Sequence, residues 1–75
     1  MSIEELRRHR DACEQRMTKE MHLYVRLTDE WTADQRDPLK RQAWEDQKKV
    51  AERARHVYEA ANTEYLEAIR KAKGL

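Results

Sequence analysis

Cysteine and histidine have the widest chemical repertoire of the side chains in this sequence, and they are few: one Cys and three His among 75 residues. His9 and Cys13 are four residues apart, with Glu5 one turn earlier, so a helix places all three on one side. That spacing is typical of part of a zinc site, which needs four such ligands. His56 is expected opposite Cys13 but turned toward solvent, so the ligand set does not converge.

The same thiol also bears on catalysis. A nucleophilic cysteine needs a base aimed at its sulfur and a pocket that holds a substrate. The chain has one Gly, one Pro and one Ser, which excludes glycine-rich phosphate loops and a serine hydrolase site. We therefore predict no enzymatic activity, no metal or cofactor and no small-molecule substrate, with Cys13 as a small core residue. A lone cysteine is typical of the reducing cytosol, so a cytoplasmic location is expected.

Two groups of basic residues suggest contacts with partners. The first is the run Arg-Arg-His-Arg at residues 7–10, which forms either a binding surface or a solvated helix end paired with neighbouring acids. Arg10 falls within the apolar arc of its helix, so a partly buried and paired charge is predicted there. The second group supports an alternative hypothesis of RNA or DNA binding, although acidic residues dilute it. It comprises Lys48, Lys49, Arg53 and Arg55.

The two tryptophans fall on either side of the predicted loop. Buried, they would close the loop end of a helical hairpin; exposed, they would form an anchor for a partner, because tryptophan is enriched at binding hot spots. The sequence leaves both possibilities open. The candidate partner-binding residues are therefore Arg7, Arg8, Arg10, Trp31 and Trp44.

The overall composition indicates a small helical protein that needs help to bury its apolar surface. Sixteen basic and fifteen acidic residues give a net charge of +1, so no overall field favours a nucleic acid or a membrane. The longest apolar run, residues 23–25, is far too short to span a bilayer. Ile, Leu and Val together number 11, and a chain of this length rarely supplies a sufficient core alone. We expect it to self-associate or to fold onto a partner.

Capping signals divide the chain into two helices. Ser2 and Glu5 have capping-box spacing, and a heptad-like apolar pattern follows them, which predicts a helix over 3–31. Asp37 before Pro38 combines an N-cap carboxylate with proline at the first helical position, which predicts a second helix over 38–73. A loop as short as 32–37 requires antiparallel packing. The predicted fold is all-α, a two-helix antiparallel hairpin forming one domain over 1–75.

The second helix is apolar over more surface than one neighbour covers. Its apolar side chains, Leu39 and Leu75 among them, fill an arc of about 140°, interrupted by Lys40 and Gln47. On the first helix, Glu20 occupies a heptad position where a polar residue fixes register. We predict that a second copy completes a dimeric four-helix bundle with an isologous interface. The core or dimer candidates are Met17, Met21, Tyr24, Leu27, Val50, Ala54, Val57, Tyr58, Ala61, Tyr65 and Ile69.

These observations predict a small regulator, adaptor or inhibitor that acts by binding another protein as a helical-hairpin homodimer. The partner is unidentified, and no membrane association is expected. Besides the nucleic-acid alternative, a structural coiled-coil role in a larger assembly stays open.

Overall fold

The computed structural model describes residues 1–74 and consists of two helices, α1 (Ile3–Ala33) and α2 (Pro38–Ala72). No strand occurs among these residues. Contacts pair the start of α1 with the end of α2 and the end of α1 with the start of α2, as an antiparallel hairpin requires. The predicted helical hairpin is confirmed. Leu75, which the predicted arc included, lies outside the described residues.

Both predicted helix starts are present, and each has a side-chain cap. Ser2 Oγ accepts a hydrogen bond from the backbone N–H of Glu5 at 3.1 Å, and the Ser2 hydroxyl donates to Glu5 Oε1 at 3.2 Å. Asp37 Oδ1 accepts from the backbone N–H of Leu39 at 2.9 Å, with Pro38 at the first position of α2. These caps satisfy N–H groups that a helix start leaves unpaired.

The helix ends differ slightly from the prediction. α1 continues two residues past Trp31, whose carbonyl accepts a hydrogen bond from the backbone N–H of Asp34 at 3.1 Å. The loop is therefore shorter than predicted, and it is braced by an ion pair between Lys40 Nζ and Asp34 Oδ2 at 3.7 Å. α2 ends at Ala72, one residue early, and Gly74 follows with φ +73°, a left-handed conformation that glycine adopts without strain.

Alanine forms the centre of the contact between the helices. Ala51, Ala54 and Ala61 of α2 are buried, and Gln47 is the one polar residue among 1–74 that is equally buried. No large side chain of the described residues is fully buried. Small side chains bring the helix backbones close together, but they leave a thin core in a rod-shaped hairpin that extends 57 Å by 16 Å by 15 Å.

Apolar residues at the edge of the predicted arc do not all pack on α1. Leu39 is 79% exposed, so it belongs to the part of the predicted arc that α1 leaves uncovered. It is five full helical turns from Val57 and therefore points in the same outward direction. Neither α1 nor α2 contains an apolar stretch long enough to cross a bilayer.

Candidate interaction surface

α2 carries two overlapping heptad seams, of which α1 covers only one. The inner seam faces α1. The outer seam lies next to it around the helix, and every second residue belongs to both seams. Spacings that alternate between three and four residues are the pattern of a helix that packs in a coiled coil. The inner seam is Trp44, Gln47, Ala51, Ala54, Tyr58, Ala61, Tyr65 and Ala68. The outer seam is Ala43, Gln47, Val50, Ala54, Val57, Ala61, Glu64 and Ala68.

The positions found only in the outer seam remain open to solvent. Val50 is 41% exposed and Val57 is 48% exposed. Both line a groove of about 400 Å³ between the helices, whose floor includes Cys13 and Ala54. Cys13 of α1 and Val57 of α2 thus line the same groove. At about 25 cal/mol per Å² of apolar surface, covering this face with a partner helix is favourable.

The thiol in this groove has one histidine neighbour. Cys13 Sγ lies 3.8 Å from His9 Nε2, as the predicted shared helix side requires. His56 lines a different depression, which it shares with Lys49 and Glu52. No group of three potential ligands occurs within residues 1–74. The pair packs as part of the groove wall.

A part-buried polar contact joins the two helices near the middle of α1. The Gln47 side-chain amide donates to the backbone carbonyl of Glu20 at 2.9 Å and to its Oε2 at 2.7 Å. Glu20, which occupies a heptad position where a polar residue can set register, contacts Gln47, a residue that the sequence marked only as an interruption of the arc. The alternating spacing of the inner seam was a signal that Gln47 faces α1.

The tryptophans stack on each other at the loop end. The ring centroids of Trp31 and Trp44 are 4.6 Å apart with planes 15° from parallel, and Tyr24 extends the stack at 6.2 Å from Trp44. Trp44 Nε1 donates to Thr28 Oγ1 at 2.8 Å, a contact that the sequence analysis missed. Thr28 in turn donates to the Tyr24 carbonyl at 2.8 Å. Trp31 Nε1 is buried without a hydrogen-bond partner among the described residues.

The arginines near the start of α1 have partners within the chain. Arg7 and Arg8 contact Glu4 at 2.7 and 3.6 Å, and both arginines stay largely exposed. Arg10 is more enclosed, with its side chain 24% exposed, and lies 4.4 Å from the centroid of Tyr65. A hydrogen bond from Arg10 to Asp11 raises the pKa of the Arg10 guanidinium. The predicted pairing of Arg10 is thus observed. Of the three arginines, only Arg7 and Arg8 have side chains that are mostly exposed to solvent.

The basic residues of the nucleic-acid alternative do not form one stripe. Lys48 and Arg55 border a shallow depression beside Met21 on one side of the hairpin. Lys49 and Arg53 border another depression, on the side that carries the groove. Arg55 also contacts Glu59 at 3.6 Å, and Lys48 lies 5.8 Å from the Trp44 ring.

The remaining core or dimer candidates divide by exposure. Some are buried or half-buried within the hairpin: Met17, Tyr24, Leu27, Ala54, Tyr58, Ala61, Tyr65 and Ile69. Others are exposed in the single chain: Met21, Val50 and Val57. The first group forms the hairpin, and the second is available to a partner.

No family model, curated protein or solved structure matches this chain.

Proposed function

We propose that the protein is a non-enzymatic helical-hairpin homodimer that regulates, adapts or inhibits another protein by binding it. The observation that carries the proposal is the outer seam, a heptad pattern beside the contact with α1 that exposes valines at positions 50 and 57. A second copy presents the same seam, so an isologous dimer covers both. The groove places the single thiol beside this seam, which favours a reducing compartment such as the cytosol.

The dimer is tested by sedimentation combined with circular dichroism on the native chain. We expect a dimer mass with full helicity, and a lower association constant when Val50 and Val57 are both replaced by lysine. A matched control replaces Val25 and Leu66 by lysine, since both are at least as exposed, at 56% and 48%, but lie off the outer seam. A fully helical wild-type monomer at all concentrations would refute the homodimer.

Partner binding is tested separately by affinity capture from cell lysate, with and without nuclease. We expect a discrete protein in both lanes. We also expect weaker capture by the variant R7E/R8E, because these two exposed arginines lie at the opposite end of the hairpin from the tryptophans and are available to a partner. Capture that nuclease abolishes, with a steep fall of binding in salt, would replace this proposal with the nucleic-acid alternative. Masses well above a dimer would instead favour a structural array.

A further inference from the structure

Charged residues line the outward flank of the outer seam without partners of their own. Arg53, Ala60 and Glu67 recur at heptad steps along this flank, and Glu64 lies within the seam beside them. Arg53, Glu64 and Glu67 form no ion pair and no side-chain hydrogen bond with residues 1–74. Residues that flank a coiled-coil seam pair with flanking residues of the partner helix and so select its register.

We propose that the outer seams of two copies pack antiparallel, with Ala60 of each copy meeting at the twofold axis. In this register Arg53 faces the partner's Glu67, and the symmetry repeats that pair on the other side of the axis. Val57 faces the partner's Ala61, and Val50 faces the partner's Ala68. The inference rests on the homodimer proposed above and adds the surface, the direction and the register of its interface.

The other heptad registers that keep both valines against the partner's α2 are less favourable. One places Arg53 against the partner's Arg53, and the next places Asp46 against the partner's Glu67. Like charges directly opposed destabilise such an interface. A third register pairs Asp46 with the partner's Arg53, but it faces Val57 with the partner's Lys40.

That third register also competes with contacts inside the hairpin. It faces Val50 with the partner's Gln47, whose amide is already committed to Glu20. Asp46 already accepts a hydrogen bond from Gln42 Nε2 at 2.9 Å within α2. The register centred on Ala60 needs neither group, because it opposes valine with alanine and uses charges that are free.

Steric fit supports the same occupant. The flank has arginine, alanine and glutamate at successive heptad steps. When two copies of it lie antiparallel, each arginine faces a glutamate and the small alanines meet at the centre. Ala60 is exposed, and its small side chain allows the two backbones to approach at the axis, as the buried alanines of the inner seam do within the hairpin. A second copy of this chain therefore matches this flank in both shape and charge.

The first test places a thiol at the proposed axis. In a C13S background, which removes the only native cysteine, the variant A60C is treated with a short bis-maleimide. We expect covalent dimers from A60C. The matched control A43C also lies on the outer seam, but the proposed register places its two copies tens of Å apart, so we expect no covalent dimer from it. Equal yields from the two variants would overturn the register.

The second test exchanges the charges of the proposed ion pair. R53E alone replaces two attractive contacts with repulsive ones, and we expect the dimer dissociation constant measured by sedimentation to rise about tenfold. The double variant R53E/E67R is expected to return within about twofold of wild type. Arg53 and Glu67 are about 21 Å apart along one helix, so recovery cannot arise within a chain.

The outcomes separate this inference from the proposed function. A wild-type dimer with no recovery in R53E/E67R, or with recovery in D46R/R53E instead, overturns the register and leaves the homodimer standing. A wild-type protein that is monomeric at all concentrations overturns the homodimer itself. Selective cross-linking of A60C together with recovery in R53E/E67R supports the proposed interface.

Discussion

Replacing Gln47 by glutamate removes the donor that connects the two helices at their centre. Gln47 is 8% exposed, and its side-chain amide donates both to the Glu20 carboxylate and to the Glu20 backbone carbonyl. A bond to a charged acceptor contributes about 1.5–3 kcal/mol, and one to a neutral carbonyl contributes about 0.5–1.5 kcal/mol. We therefore expect Q47E to lower the free energy of unfolding by about 2–4 kcal/mol at neutral pH, with carboxylate repulsion adding to the loss. Against a total of about 5–15 kcal/mol for a typical domain, this is a large fraction.

Acidification should partly restore the Q47E variant. A proton bound between the introduced carboxylate and Glu20 supplies a new donor, so the folded variant holds that proton more tightly than the unfolded chain does. Stability gained this way is present at low pH and is lost as pH rises. The double variant E20Q/Q47E re-creates an amide facing a carboxylate, and we expect it to recover the contribution of the side-chain bond, about 1.5–3 kcal/mol, at neutral pH, while the bond to the backbone carbonyl stays lost.

The measurement is urea unfolding followed by circular dichroism at one fixed protein concentration, because association contributes to the apparent stability. Q42E is the matched control: Gln42 also donates to a carboxylate, Asp46 at 2.9 Å, but on the exposed face of α2. We expect Q42E to cost no more than about 0.5 kcal/mol. Equal costs for Q47E and Q42E, or no recovery in E20Q/Q47E, would refute the argument that this buried pair holds the register.

Three further substitutions probe other contacts. W44F removes the indole N–H that donates to Thr28 and is expected to lower the free energy of unfolding by about 1–2 kcal/mol in urea titrations. S2A removes the first cap and is expected to cost about 0.5–2 kcal/mol, seen as faster amide hydrogen exchange confined to the first turn of α1. A51L overfills the alanine contact and is expected to lower stability by about 1–3 kcal/mol in the same titrations, whereas A72L, at the exposed end of α2, should change it little.

The boundaries of the hairpin could be predicted because short-range chemistry determines them. Ser2 and Asp37 cap the N–H groups two or three residues ahead, and Pro38 restricts the backbone before it, so no distant contact is needed to place either helix start. The end of α1 was predicted two residues early, because the apolar pattern stops at Trp31 whereas the backbone hydrogen bonds continue through Asp34. A helix end without a glycine or proline has no comparable local signal.

The burial of each residue could be predicted only in part. A helical wheel gives the direction in which a side chain points, but not its distance from the neighbouring helix. Gln47 is polar and was taken as an interruption, yet it is buried because Glu20 lies across from it. Leu39 is apolar and was assigned to the arc, and at 79% exposure it lies on the part of the arc that α1 does not cover. Both outcomes depend on the cross-helix register, which the pattern of either helix alone does not specify.

The stacked indoles give the hairpin an optical signature of its own. Transition dipoles held with ring centroids 4.6 Å apart couple strongly, so Trp31 and Trp44 should produce an exciton couplet in the far ultraviolet. That couplet overlaps the helical bands and alters the apparent helix content. It should vanish in W44F while the helical bands persist. Because the stack lies at the loop end and the outer seam is centred far from it, the couplet reports closure of the hairpin independently of association between copies.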